Sequence, residues 1–407
     1  MKKIRPEVRR THGVAMRCIE LPEEATPYER GLFHGESFRD EIAAIAMIRS
    51  ELCKTQGRFK SDEELLRVAR LHIPVLRSYD EDLFQELRGI GDGARLPIER
   101  VVVLNHYTDL KDIDPKKVMP VEEEEEGIMG ESDGCTSIVA STEEGVFLGQ
   151  TWDMHGSALP FVAMMRIPGR LKQGATQAEW VPEAWVLTIT GCLGMAGINS
   201  KGVGIAINNL RSLDARVGLV WPALVRRVLE MDTAAKGCQL VCSAPLGSGH
   251  HYLVADAREA FGIETSGTRF EVWRKAEFTH PGVAFHHENH CLGRYVCEVS
   301  EVSPTSTTIE RFGFLENSLA TRPISSGLDL WERLGSHEGY PRSVCTHLAT
   351  HEHPHAMLTC AAILCDLSRK KVYAHQGCIH GVGIPGHSDP TRVRAMASEF
   401  TFRGSDR

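Results

Sequence analysis

The stretch GESDGCTSIVASTEEGVFLGQTWDM, residues 130–154, decides the fold. It opens as a polar loop. From Cys135 the pattern changes to alternation, so that TSIVAST and VFLGQTWD read as two strands joined by the short glycine-containing turn EEG. A cysteine at the first residue of a hairpin, directly after Asp133-Gly134, points to chemistry. Sulfur is nucleophilic as thiolate, and with a reference pKa near 8.5 it needs a base or a cation close by. Histidine is the usual base. Cutting the Gly134–Cys135 bond would supply another, because the new α-amino group, with a reference pKa of about 7.7–8.0, sits on the nucleophile's own backbone. Glycine suits the scissile position, having no Cβ to obstruct approach of the thiol to its carbonyl.

Upstream of this stretch the chain reads as helical. Thr26-Pro27-Tyr28-Glu29 combines a capping oxygen, a proline at the first helical position and a glutamate three residues after the cap, and predicts a helix of about 25 residues. Ser61 and Glu64 repeat the capping pattern, and further helices are predicted over 80–90 and 97–106. From 109 to 134 periodicity is lost, and the run Glu122–Glu126 reads as a solvated, acidic loop. Downstream, FVAMMRI, AWVLTIT, GMAGINS, GVGIAIN, HYLVADA, AFGIETS, RFEVWR, VAFHHEN, MLTCAAILCDL and KKVYAH read as strands. Helices are predicted near 222–230, 232–241, 308–319 and 328–334. Most strand pairs are separated by turns too short for a crossover helix, which favours α+β or a layered sandwich over a parallel sheet. No internal repeat is found.

Composition narrows the function classes. The 407 residues are 42% hydrophobic and 25% charged, with a formal charge of −8 and basic residues scattered along the chain. Nucleic-acid binding by counterion release has no footprint here. No apolar run approaches the roughly 18–20 residues that span a bilayer, and the N-terminus lacks the apolar core of a secretory signal. Twelve cysteines at irregular spacing then suggest reduced thiols and a cytoplasmic protein.

The motifs in order, TPYERGLFHGESFRDEI, ELRGIGDGARLPIERVVVLNHYTD, DGCTSIVAS, GVFLGQTWDM, GINSKGVGIAINNL, ADAREAFGIETS, HENHC and GYPRSVC, run through most of the chain. Together they resemble the autoproteolytic cysteine N-terminal-nucleophile (Ntn) hydrolases related to acyl-coenzyme A:6-aminopenicillanate (isopenicillin N) acyltransferase. The bile-salt and penicillin V amidases are more distant cousins. The resemblance implies a four-layered αββα sandwich with two antiparallel sheets between helices. It implies one domain made of two associated chains, a mostly helical residue 1–134 piece and a 135–407 piece that carries the nucleophile. It assigns Cys135 as the nucleophile and Asp153 as the holder of the freed amine. Asn289 and Asn208 would lie on the oxyanion side, and Gly134–Cys135 would be the cleavage site. It departs at one place: where an arginine is expected near the nucleophile, GYPRSVCTH has Thr346, with Arg342 earlier. Gln150 stands where the bile-salt branch has arginine.

The expected activity is therefore hydrolysis of a linear N-acyl amide through a thioester, on a small-molecule substrate, with neither cofactor nor metal. Self-association would be that of the two cleaved chains, with homo-oligomers left open. Two alternatives stand. One is N-acyl transfer from a coenzyme A thioester or an amide to an amine. The other is an uncleaved binding protein or metallohydrolase built on histidines such as His347 and His351, whose i, i+4 spacing permits zinc binding although the order is not HExxH.

Overall fold

The computed structural model describes residues 16–118, 134–171 and 180–403; the acidic run Glu122–Glu126 lies outside them. Helix α1 (Pro27–Ser37) starts as its sequence dictates: the Thr26 hydroxyl accepts the Glu29 N–H and the Glu29 carboxylate takes the Thr26 N–H. The expected single long helix is instead two, because at Phe38 the backbone leaves helical geometry before α2 (Arg39–Thr55) begins. The break lets α1 lie along α4 (Glu81–Ala94) while α2 packs on α5 (Ile98–Asn105). Gly31, Gly35, Gly89 and Gly93 form the α1–α4 seam, and a Cβ on any of them would run into the partner helix backbone. The helix α3 (Asp62–Tyr79) between them is capped by Ser61, but Glu64 reaches back to the Lys60 N–H, so the second half of the expected capping box is replaced by a neighbouring bond. Part of the stretch read as irregular is helical, Tyr107–Asp112 and Pro115–Val118. It is anchored by Asp109, buried and 2.7 Å from His250 Nε2.

Among the described residues the strands form a nine-stranded sheet, a six-stranded sheet and two short two-stranded ribbons. The larger contains Val162–Ile167, Ala184–Ile189, Ala196–Asn199, Gly204–Ser212, Gly249–Ala255, Glu259–Thr265 and Phe270–Glu277 in antiparallel order. One edge departs from the expected antiparallel pattern: Cys18–Glu20 pairs Val162–Ile167 in parallel, its connection being the whole helical layer and the cysteine hairpin. The smaller sheet runs Ala284–His287, Gly134–Thr142, Gly145–His155, Met357–Asp366, Lys371–Gln376 and Ser398–Thr401.

The hairpin at 134–155 forms as its alternation predicts, turning between Thr142 and Gly145, where glycine takes a φ of +138°. Every residue of Gly134–Thr142 is buried, because both faces are covered. Cys135 and Val139 join the core between the sheets, with Leu148 and Trp152 of the return strand. Ile138, Ala140 and Phe147 face outward onto Leu330, Trp331 and Leu334 of the helix Gly327–Leu334. On the far side of the larger sheet lie α1–α5 and the helices Trp221–Val228 and Ala234–Ser243. The architecture is thus α+β, two sheets between helical layers. Among the described residues no helix is long and apolar enough to cross a membrane.

Candidate active site

Cys135 lies at the start of a central strand, buried, with Trp152 opposite it on the return strand. On its other side the ladder has run out: His287, the last paired residue of Ala284–His287, stands opposite Ser137. The chain continues to Asn289, whose side-chain Oδ1 accepts the Cys135 backbone N–H at 2.7 Å. A side chain thereby takes over where the strand stops. Asn289 has its oxygen and nitrogen fixed by their partners, since Arg311 Nη2 donates to the same Oδ1 at 2.8 Å and Nδ2 donates to the Asn209 carbonyl at 2.8 Å.

Arg311 is the centre of the site and is 1% exposed. Its helix, Thr308–Thr321, begins against the Asn289 loop, where Thr308 Oγ1 accepts the Asn289 N–H at 2.8 Å. The guanidinium donates from Nη1 to the Cys135 carbonyl at 2.6 Å and to Thr136 Oγ1 at 2.9 Å, and from Nε to Thr307 Oγ1 at 2.9 Å. These acceptors and Asn289 Oδ1 are all uncharged oxygens. A buried cation with neutral partners draws its compensation from anions beyond its hydrogen bonds.

Asp153 is one such group, its carboxyl feeling the Arg311 charge. It stands opposite Gly134 in the ladder and is fully buried. Oδ1 accepts the Thr359 hydroxyl at 2.7 Å, while Oδ2 is buried with no hydrogen-bond partner among the described residues. Burial pushes the carboxyl up to about 6, and the Arg311 charge and the Thr359 hydroxyl restrain the rise. The Cys135 Sγ sits 3.9 Å from the Asp153 carbonyl oxygen. A Cβ on Gly134 would run into Met357 Sδ, so a larger residue there requires the Met357 side chain to move.

The remaining predicted residues fall outside this immediate cluster. Asn208 is buried, but its Oδ1 takes the Ser137 hydroxyl at 2.7 Å and lies 3.0 Å from His251 Nδ1, and its Nδ2 donates to the His287 carbonyl at 3.0 Å. Gln150 clips the sheets together, donating to the Ile207 carbonyl at 2.6 Å and accepting the Ile207 N–H at 3.0 Å. Thr346 contributes through its backbone: its N–H donates to Thr359 Oγ1 at 2.8 Å, which in turn donates to Asp153. Arg342 reaches Glu310 at 2.8 Å and the Ser306 carbonyl at 3.0 Å, on the rim of a cavity of about 620 Å³ that meets the cysteine site at Arg311. The histidines around Asn289 have separate partners, His286 with Glu288 and Glu316, His287 with Glu264 and His290 with Thr308.

Arg311 and Thr359 are the contributors that the sequence does not announce. The one signal was Thr307 with Arg311 at i, i+4 over a helix start, which says that the two can meet and not that they face inward.

No family model matches the chain. A curated relative does: the 40 kDa form of acyl-coenzyme A:6-aminopenicillanic-acid-acyltransferase from Emericella nidulans is 26% identical over 339 residues, covering 79% of this chain and 83% of that protein. Among solved structures, penicillin V acylase from Agrobacterium tumefaciens matches at 13% identity and a TM-score of 0.37, over 60% of this chain and 82% of that one. A mutant conjugated bile acid hydrolase from Clostridium perfringens matches at 10% identity and a TM-score of 0.40, over 66% and 97%. Over most of its length, then, the chain is homologous to acyl-coenzyme A:6-aminopenicillanic-acid-acyltransferase.

Proposed function

We propose that the chain cuts itself at Gly134–Cys135 and then acts as an N-terminal-cysteine amidohydrolase on small N-acyl substrates. The observation that carries this reading is the pair of buried charged groups, Arg311 and Asp153, gathered around one cysteine, with a bare carboxylate oxygen opposite the glycine that precedes it. In the cutting step the Cys135 sulfur attacks the Gly134 carbonyl and the peptide nitrogen leaves as the new amine. Water then hydrolyses the resulting ester of sulfur, giving a Gly134 carboxylate and a free Cys135 thiol. The uncut nitrogen offers one N–H, which goes to Asn289. The freed ammonium would offer three, one of them suited to Asp153 Oδ2.

In catalysis that amine takes the thiol proton as sulfur attacks the substrate carbonyl. Negative charge develops on the substrate oxygen, where Arg311 and the second N–H of the Asn289 amide supply compensation. Preorganised donors of this type are typically worth about 3–4 kcal/mol each. Collapse expels the substrate amine, which leaves with the proton, and the acyl group remains as a thioester until water removes it. Asp153 holds the ammonium, whose charge would draw the carboxyl down from the value of about 6 that burial gives it in the uncut chain. A reducing cytosol suits the nucleophile, and none of the twelve cysteines is paired in a disulfide.

The curated relative's name favours a second reading, transfer of the acyl group from coenzyme A to an amine seated in the cavity beside Arg311. Denaturing mass analysis tests the first step: two fragments meeting at Gly134–Cys135 are expected, and a single intact chain, inactive on every amide tried, would sink the reading. A panel of N-acyl amino acids, β-alanyl amines and β-lactam side-chain amides, each with and without added amine, tells free acid from transferred acyl product.

A further inference from the structure

A second constellation lies outside the cysteine site. His337 follows the helix Gly327–Leu334, Cys345 and His347 flank Thr346, and Cys378 follows the strand Lys371–Gln376. Their ligand atoms all lie within 4.8 Å of one another. Cys345 Sγ is 3.5 Å from His347 Nε2, and Cys378 Sγ is 3.4 Å from His337 Nε2. A tetrahedron with metal–sulfur bonds of about 2.3 Å and metal–nitrogen bonds of about 2.0 Å has sulfur–nitrogen edges of roughly 3.5 Å, so these spacings are those of a shared ion.

From this geometry we propose that His337, Cys345, His347 and Cys378 bind one zinc ion that staples two loops to the back of the Asp153 site. Two thiolates and two imidazoles in a tetrahedral set are the ligands zinc takes in structural sites. Backbone donors face the ligand atoms: the N–H groups of Ile379 and His380 point at the sulfurs of Cys345 and Cys378. The His337 ring is held by stacking on His380, 4.1 Å between centroids and 12° between planes, and meets His347 edge-on.

Four protein ligands close the coordination shell and leave no position for water or substrate, so the ion does no chemistry of its own. Its effect on the site is positional. Thr346, between two ligands, donates its N–H to Thr359, and Thr359 donates to Asp153. Fixing Cys345 and His347 therefore fixes the far end of the hydrogen-bond chain that orients the carboxyl. This set differs from the His347–His351 pair suggested by spacing; His351 is exposed in the loop beyond.

The test reads metal, not turnover, and so is separate from the self-cleavage proposal. Full-length protein, purified with a thiol reductant and supplied with zinc chloride, is dialysed against a weak chelator and its metal measured by mass spectrometry. About one zinc per chain is expected, against a residual trace in Cys345→Ser/Cys378→Ser. Wild-type protein loaded with cobalt(II) should show thiolate-to-metal charge transfer and tetrahedral d–d absorption, which keeps the proposal testable if the double variant fails to fold. Metal-free wild type under these conditions, an octahedral cobalt spectrum, or a Cys345–Cys378 disulfide in peptide maps of reductant-purified protein would each overturn it.

Discussion

Two buried arginines show how the molecule separates structure from chemistry. Arg226, in the helical layer, is clasped by Glu86 at 2.7 and 3.1 Å, with Arg30 at 3.5 Å on the same carboxylate. Burial pushes the Glu86 carboxyl upward, yet Arg226 and Arg30 together hold it down at about 2. Its charge is settled by ion pairing in the resting fold. Arg311 is equally buried, yet its four acceptors are uncharged, and the nearby carboxyl of Asp153 is pushed up rather than held down. A structural arginine arrives with its counter-charge; in the proposed reaction Arg311 would stand where negative charge develops.

The most drastic way to break the comparison is to remove the sulfur. Cys135→Ala is expected to abolish both cutting and amide turnover completely, leaving one folded chain of 45.1 kDa by denaturing mass analysis. A variant that still processed would move the nucleophile elsewhere.

The two arginine systems should then fail in opposite ways. Glu86→Gln leaves two buried cations uncompensated and is expected to cost about 3–5 kcal/mol of stability in urea unfolding, with turnover per folded molecule unchanged. Arg311→Met should cut kcat/KM by about 10²–10³-fold, with a much smaller loss of stability. The reverse assignment of effects would erase the distinction.

Asp153 sharpens the comparison through pH. Its folded-state pKa is raised from 3.8 to about 6, so its protonated form favours folding. That stability is fully present below about pH 4 and is lost as pH rises through about 6. In the uncut Cys135→Ala background, Asp153→Asn should therefore stabilise by about 2–3 kcal/mol at pH 8, the gain vanishing near pH 3.5. A pH-independent difference would show that Asp153 already has its counter-charge. The smallest effect is expected from Thr359→Val, about 1 kcal/mol in unfolding. By removing a bond that lowers the Asp153 pKa, it should move the acid limb of the kcat/KM profile to higher pH.

What was legible in the sequence is what local patterns decide. Thr26 and Glu29 start a helix wherever they sit, and the alternation through 135–155 makes a hairpin without help from distant residues. Cys135, Asp153 and Asn289 lie together in the structure. The inward face of the helix Thr308–Thr321 is a tertiary decision, set by where the Asn289 loop docks, and so no local pattern marks Arg311 as buried. Asn208 has the right strand and the wrong neighbours, because Ser137 lies two residues along from Cys135 and takes its oxygen. The break at Phe38 follows from α1 and α2 having different partners, which no window of residues encodes. His337, Cys345, His347 and Cys378 are dispersed over 42 positions and converge only through the loops that carry them.

Newly made chain ends ordinarily fray, exploring so much space that a reactive group on them is diluted. An end made at Cys135 would have no such freedom. It would begin life inside a sheet, with Trp152 on one flank and the Asn289 amide on the other. Amine and thiol would then share one immobile residue, and proton exchange between them would carry almost no ordering entropy. Loosening that end, for instance by shortening the Asn289 side chain, should appear as accelerated hydrogen exchange at residues 136–138 before any change in the rest of the sheet.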